Sequence, residues 1–205
     1  MGTGIRFLGA ILLGGIALAT SAPPALARYY PAEKQEWYEF SSVGEADFEL
    51  PRLGEPRSKI RLSEFARGYY TAVVFFSSTC PLAELELPAV EEFYLSIPER
   101  GRLDGKRRIP ARIIGVAIDA LGERELIPYV EERNFSFPIV LDPLGVRTGK
   151  TYKLEELGIP LIVLYRPDGT LVGIFRGVER YLSDRLWEVI FTDYALQQMS
   201  REGEG

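Results

Sequence analysis

The sequence predicts an α/β fold in three layers, with a mixed central sheet flanked by helices. Three observations predict it. Tyr70–Phe76 (YTAVVFF) and Ile113–Ile118 (IIGVAI) are β-branched and aromatic runs with almost no polarity, as strands covered on both faces require. Each is followed by a segment of helical period. Finally, Leu161–Tyr165 (LIVLY) turns through Pro167-Asp168-Gly169 into Thr170–Phe175, an antiparallel pair by its turn chemistry.

The elements follow in order. Residues 28–45 mix aromatics with charges and form a lead-in without a clear period. Phe48–Pro51 reads as a short extended piece and Ile60–Leu62 as a strand edge, after which Ser63 is expected to cap a helical turn, Glu64–Ala66. Beyond the central strand Tyr70–Phe76, a helix is expected from Pro81 to Leu95, bent at Pro88 because a mid-helix proline lacks its N–H. After Ile113–Ile118 come a helix over Glu123–Arg133, a short strand over Phe137–Leu141, and a helical stretch from Asp142-Pro143 to Tyr152. A last amphipathic helix spans Ser183–Gln198, with Leu186, Val189, Ile190 and Tyr194 on its inner face. One domain over 46–198 and a tail at 199–205 account for most of the 205 residues.

Composition narrows the chemistry. The 24 basic and 29 acidic residues give a net charge of −5, and Lys106-Arg107-Arg108 is too short a basic run to replace counterions on a duplex. No nucleic-acid partner is therefore expected. Histidine is absent, which removes Ser-His-Asp and Cys-His pairs and imidazole metal sites. With a single cysteine there is no intrachain disulfide and no thiolate cluster. No metal site and no cofactor are expected, and Asp119, Asp142 and Asp168 read as turn residues.

The chain opens with Arg6, an apolar run from Phe7 to Ala19, and the small-x-small exit Ala25-Leu26-Ala27. This order describes a signal peptide over 1–27, cut to leave Arg28 first. The alternative is an uncleaved anchor through residues 7–22, the one circumstance in which a membrane would be a partner. Either reading places the domain outside the cytoplasm, in the periplasm or secreted.

Cys80 is where the chemistry gathers. A buried strand delivers it, a helix is expected to begin at it, Pro81 follows it, and Gly158-Ile159-Pro160 lies about 80 residues downstream. At a helix N-terminus a thiolate is favoured by the positive end of the macrodipole and by free amide groups. The hydroxyls of Ser77, Ser78 and Thr79 are expected to add hydrogen bonds to the sulfur.

At these residues the sequence resembles the thioredoxin superfamily, in particular TlpA- and ResA-like oxidoreductases and the redoxins related to AhpC/TSA. The resemblance spans about Ala46 to Ile190. Family members carry aromatic-x-x-Trp-Cys-x-x-Cys at the opening of a kinked helix; here the segment reads Phe76-Ser77-Ser78-Thr79-Cys80-Pro81-Leu82-Ala83. The resemblance implies a thioredoxin-like fold, Cys80 as the catalytic thiol, and Ser77, Thr79 and Pro81 in support. It implies a cis-proline at Pro160, with the Ile159 backbone binding an extended peptide. Ala83 stands at the resolving-cysteine position, Thr79 replaces the tryptophan, and Val74 occupies the place of the family's buried carboxylate.

With Ala83 there, a mixed disulfide on Cys80 must be released by an external thiol. The expected function is an exported thiol redox protein that uses one cysteine to form a mixed disulfide with a protein or small-molecule thiol. Two alternatives stand beside it. One is a single-cysteine peroxiredoxin-like hydroperoxide reductase, in which Arg166 or Arg176 replaces the family's arginine in space. The other is a catalytically degenerate binding module. Glu84 and Glu86 are expected to be exposed helix charges. The sequence leaves the oligomeric state open.

Overall fold

The computed structural model describes residues 28–31, 40–103, 108–120, 122–179 and 181–203. The expected signal peptide, Lys106-Arg107 of the basic run and residues 32–39 of the lead-in lie outside them. The chain enters as an edge strand, β1 (Arg28–Pro31), and continues into a hairpin, β2 (Glu49–Arg52) and β3 (Glu55–Arg61). A single turn, α1 (Leu62–Phe65), leads to the central strand β4 (Tyr70–Phe76) and the long helix α2 (Ala83–Arg100). Then come β5 (Ala111–Ala117), α3 (Glu123–Glu132), β6 (Ile139–Leu141), a 3₁₀ turn at Pro143–Gly145 and α4 (Leu154–Leu157). Strands β7 (Leu161–Tyr165) and β8 (Leu171–Arg176) and the helix α5 (Leu182–Gly203) complete it.

The strands form one mixed sheet in the order β1-β8-β7-β4-β5-β6-β2-β3. β4, β5 and β6 run parallel, joined through helices, while β7 and β8 return antiparallel beside β4. Every residue of β4 is buried, as its unbroken apolar run requires. Its alternate side chains feed two cores. Ala72, Val74 and Phe76 pack with α2 residues Leu87, Val90 and Phe93 and with Leu186 and Trp187 of α5. Val73 and Phe75 face the opposite layer, where Leu62, Tyr152, Leu154 and Leu157 lie. Helical segments thus cover both faces. Gly115 in β5 is forced by this packing: a Cβ there would sit 2.9 Å from the Phe137 ring and 3.0 Å from that of Phe76.

Several elements differ from the sequence reading, each for a local reason. The lead-in is not featureless: Arg28–Pro31 pairs antiparallel with β8, and Phe40 and Val43 are buried against the sheet. Ser63 is not a cap. It lies inside α1, whose N-cap is Arg61, and its amide and hydroxyl both donate to Asp47. The expected helix from Asp142 to Tyr152 is broken because Leu144 and Gly145 adopt positive φ, 59° and 63°. Asp142 stabilises that break by accepting the amides of Arg147 and Thr148 and the Thr148 hydroxyl. Helix α5 runs past Gln198 to Gly203, and Trp187 joins its inner face.

One buried ion pair ties α5 to the sheet. Asp193 accepts the Arg166 guanidinium through both carboxylate oxygens and the Tyr70 hydroxyl at 2.8 Å. Removing Asp193 leaves the part-buried Arg166 guanidinium and the buried Tyr70 hydroxyl without their shared acceptor. Asp193→Ala is expected to lower the unfolding free energy by about 3 kcal/mol, measured by urea denaturation.

Candidate thiol site

β4 ends at Phe76, and the next four residues carry the sulfur. The Cys80 amide donates to Ser77 O (3.0 Å) and the Ala83 amide to Cys80 O (2.9 Å), so two tight turns precede the helix. Helical i→i−4 bonding takes over only at Glu86, whose amide donates to Leu82 O. α2 therefore starts at Ala83, three residues after the sulfur, rather than at Pro81, and it runs through Pro88 and Pro98 to Arg100 instead of stopping at Leu95. Cys80 is half-buried, and the amide of Leu82 takes no acceptor among the described residues.

A carboxylate from the neighbouring strand grips this turn. β5 runs parallel to β4 with Ala117 opposite Phe76, so the next residues, Ile118 and Asp119, arrive beside Ser77 and Ser78. Oδ1 of Asp119 accepts the Ser78 amide at 2.8 Å, the Ser78 hydroxyl at 2.5 Å and the Ser77 hydroxyl at 3.0 Å. The Ser77 and Thr79 hydroxyl oxygens are 2.8 Å apart, and the Thr79 amide donates to Ser77 Oγ. The hydroxyls of Ser77 and Ser78, read from the sequence as donors to sulfur, are spent on Asp119 instead. Asp119 serves the Cys80 turn rather than its own.

On the other side, Cys80 Sγ lies 3.8 Å from the carbonyl oxygen of Ile159. The Ile159–Pro160 peptide bond is cis. Its loop is fixed at both ends: the Gly177 amide donates to Pro160 O, and the Arg176 guanidinium donates to Leu157 O and Glu156 O. Gly158 takes φ 75°, a value that suits glycine. A cleft of about 530 Å³ opens beside this loop, lined by Ile118, Leu144, Val146, Lys150, Leu154 and Ile159. Arg166 is held by Asp193 and Arg176 by the loop carbonyls. Ala83 is fully buried in the core cluster that Cys80 borders, and Val74 is buried in the sheet. No cluster of three or more metal-binding side chains occurs among the described residues.

Of the two glutamates expected to be exposed on α2, one is not. Glu84 is half-exposed and paired with Arg133, but Glu86 is fully buried, contrary to expectation. Its Oε2 accepts the Glu179 amide at 3.0 Å, and its Oε1 has no partner among the described residues. Periodicity held the signal: Ala83, Glu86, Leu87 and Val90 share the buried face of α2. Loss of solvent raises the Glu86 carboxyl from 4.5 to about 8.

The sheet order, the flanking helices and the loop facing the turn after the central strand make this a thioredoxin-like fold. No family model matches the sequence, and no curated protein is significantly similar to it. Solved structures do match. A secreted Mycobacterium tuberculosis disulfide oxidoreductase homologous to E. coli DsbE has a TM-score of 0.56 at 18% identity, covering 73% of this chain and 98% of that one. StoA from Bacillus subtilis has a TM-score of 0.53 at 21% identity, covering 71% and 96%. A DsbF homologue from Corynebacterium diphtheriae has a TM-score of 0.58 at 11% identity, covering 84% and 96%. The likeness is one of fold.

Glu86 gives stability a sign with pH. Its carboxyl titrates near 8 when folded and near 4.5 when exposed, so the folded chain holds the extra proton between those values. Stability therefore falls as pH rises from about 4.5 through about 8. Glu86→Gln is expected to remove this slope. It should match the parent near pH 4.5 and exceed it by roughly 2 to 4 kcal/mol above pH 8, read by urea denaturation across pH.

Proposed function

We propose that this chain is an exported thiol redox protein in which Cys80 forms a mixed disulfide with a protein or small-molecule thiol partner. The observation that carries the proposal is the half-buried Cys80, on a hydrogen-bonded turn with its sulfur 3.8 Å from the Ile159 carbonyl oxygen. The turn ahead of α2 leaves the Leu82 amide without an acceptor among the described residues, a donor free to meet a ligand at the sulfur. The Cys80 thiolate attacks one sulfur of a partner disulfide, the new S–S bond forms, and the partner's second sulfur leaves with the electron pair. Ala83 offers no second thiol, so an external thiol must attack the adduct to regenerate Cys80.

Export rests on the order of residues in 1–27. Cleavage after Ala27 would leave Arg28 first and keep β1 whole. The secreted M. tuberculosis structure with the same fold supports that placement. The hydroperoxide reading is the weaker one, because its transition state needs a cation and donor hydroxyls at the sulfur. The arginines suggested for that task are bound elsewhere, and the serine hydroxyls are bound to Asp119.

Mixing the wild-type protein with a cystine-containing peptide is expected to build a one-to-one adduct at Cys80, seen by intact mass and cleared by added dithiothreitol. Cys80→Ser gives none. Ala83→Cys supplies the missing attacking thiol, so the adduct should fail to accumulate and the peptide should leave as a free thiol. A wild-type protein that iodoacetamide alkylates readily but that forms no adduct would refute the redox reading and favour a binding module.

A further inference from the structure

The hydroxyl chain beside Cys80 has a direction, and Asp119 sets it. A serine hydroxyl carries one proton, and Ser77 Oγ has two possible acceptors for it: Asp119 Oδ1 at 3.0 Å and Thr79 Oγ1 at 2.8 Å. The carboxylate is the stronger acceptor, because hydrogen bonds to an ionised oxygen are roughly twice as strong as neutral ones. Ser77 therefore donates to Asp119. Its two lone pairs are then filled by the Thr79 amide and the Thr79 hydroxyl.

The consequence lands on Thr79. Its only hydroxyl proton points inward, so the oxygen of this exposed residue offers lone pairs to whatever approaches the neighbouring sulfur. Ile159 O, on the other side of Cys80, is an acceptor as well. The residue before the sulfur in the chain and the carbonyl 3.8 Å from it thus each offer an acceptor, a pairing complementary to the N–H groups of an extended polypeptide. Asp119 is 3% exposed, and its second oxygen has no partner among the described residues, so one loaded oxygen does all of this holding.

We infer that Asp119 is a positioning residue that acts through Ser77 to make Thr79 a hydrogen-bond acceptor for a backbone N–H of the polypeptide joined to Cys80. This rests on the mixed-disulfide reading above and deepens it: the partner is a peptide chain recognised on both sides of its cysteine.

The test uses the full chain and two peptides. Each carries one cysteine activated as a mixed disulfide with 5-thio-2-nitrobenzoate. Cys80 attacks the peptide sulfur, the old S–S bond breaks, and the coloured thiolate leaves. The second peptide is identical except that the amides of its cysteine and the following residue are N-methylated, which removes the donors. Thr79→Val is expected to slow the unmethylated peptide by about three- to tenfold, the worth of one hydrogen bond. Thr79→Ser should keep the parent rate. Asp119→Asn should slow the same peptide, and the double variant should be no slower than Thr79→Val alone. The methylated twin should respond to none of these by more than about twofold.

Equal slowing of both peptides would mean that the cluster merely holds the fold, and would overturn the inference, as would no slowing of either. Should Asp119→Asn fail to fold, Thr79→Val, at an exposed residue, decides the matter through the contrast between the two peptides. A wild-type protein inert to both peptides, against Cys80→Ser as blank, would instead defeat the redox reading and this inference with it.

Discussion

The site depends on one carboxylate reaching across from a neighbouring strand. Asp119 has no role in β5, which ends two residues earlier; its work is to grip the end of β4 through the Ser78 amide and the Ser77 and Ser78 hydroxyls. The grip is possible because β4 and β5 are parallel and in register, so their C-terminal ends emerge side by side. Without it, Ser77–Cys80 would be four residues of loop after the strand. With it, the turn has its donors assigned, and the sulfur is fixed in front of Ile159.

The same end of the sheet gathers the remaining parts. β7 returns antiparallel on the other side of β4, which brings the loop before Leu161 opposite the turn after Phe76. Arg176 and Gly177, at the end of β8, tie that loop from behind. The parallel and antiparallel neighbours of one strand thus deliver the two walls of the thiol site. Such a placement at the carboxyl ends of parallel strands is where α/β sheets commonly bind ligands.

How much of this was legible follows from sequence distance. β4, β5 and the β7–β8 hairpin announce themselves in apolar runs and turn residues, and Cys80 and Pro160 stand out by composition and spacing. The Asp119 contact spans 42 residues, and no local pattern encodes it. β1 is hidden for the same reason, since its register partners lie at Gly173–Arg176. Glu86 is different: the helical period placed it on the buried face, but its charge argued for solvent, and the period won. Between Asp142 and Tyr152 the composition suits a helix, and what breaks it is a local carboxylate clasp with Leu144 held at positive φ.

The most direct measurement is a crystal structure of the wild-type chain carrying a cysteine peptide joined to Cys80. An extended peptide is expected to run along Ile159 and Pro160, with a backbone N–H on Thr79 Oγ1 and Asp119 still bound to Ser77 and Ser78. A peptide that leaves the sulfur without touching Ile159 or Thr79, or a turn that has let go of Asp119, would contradict it.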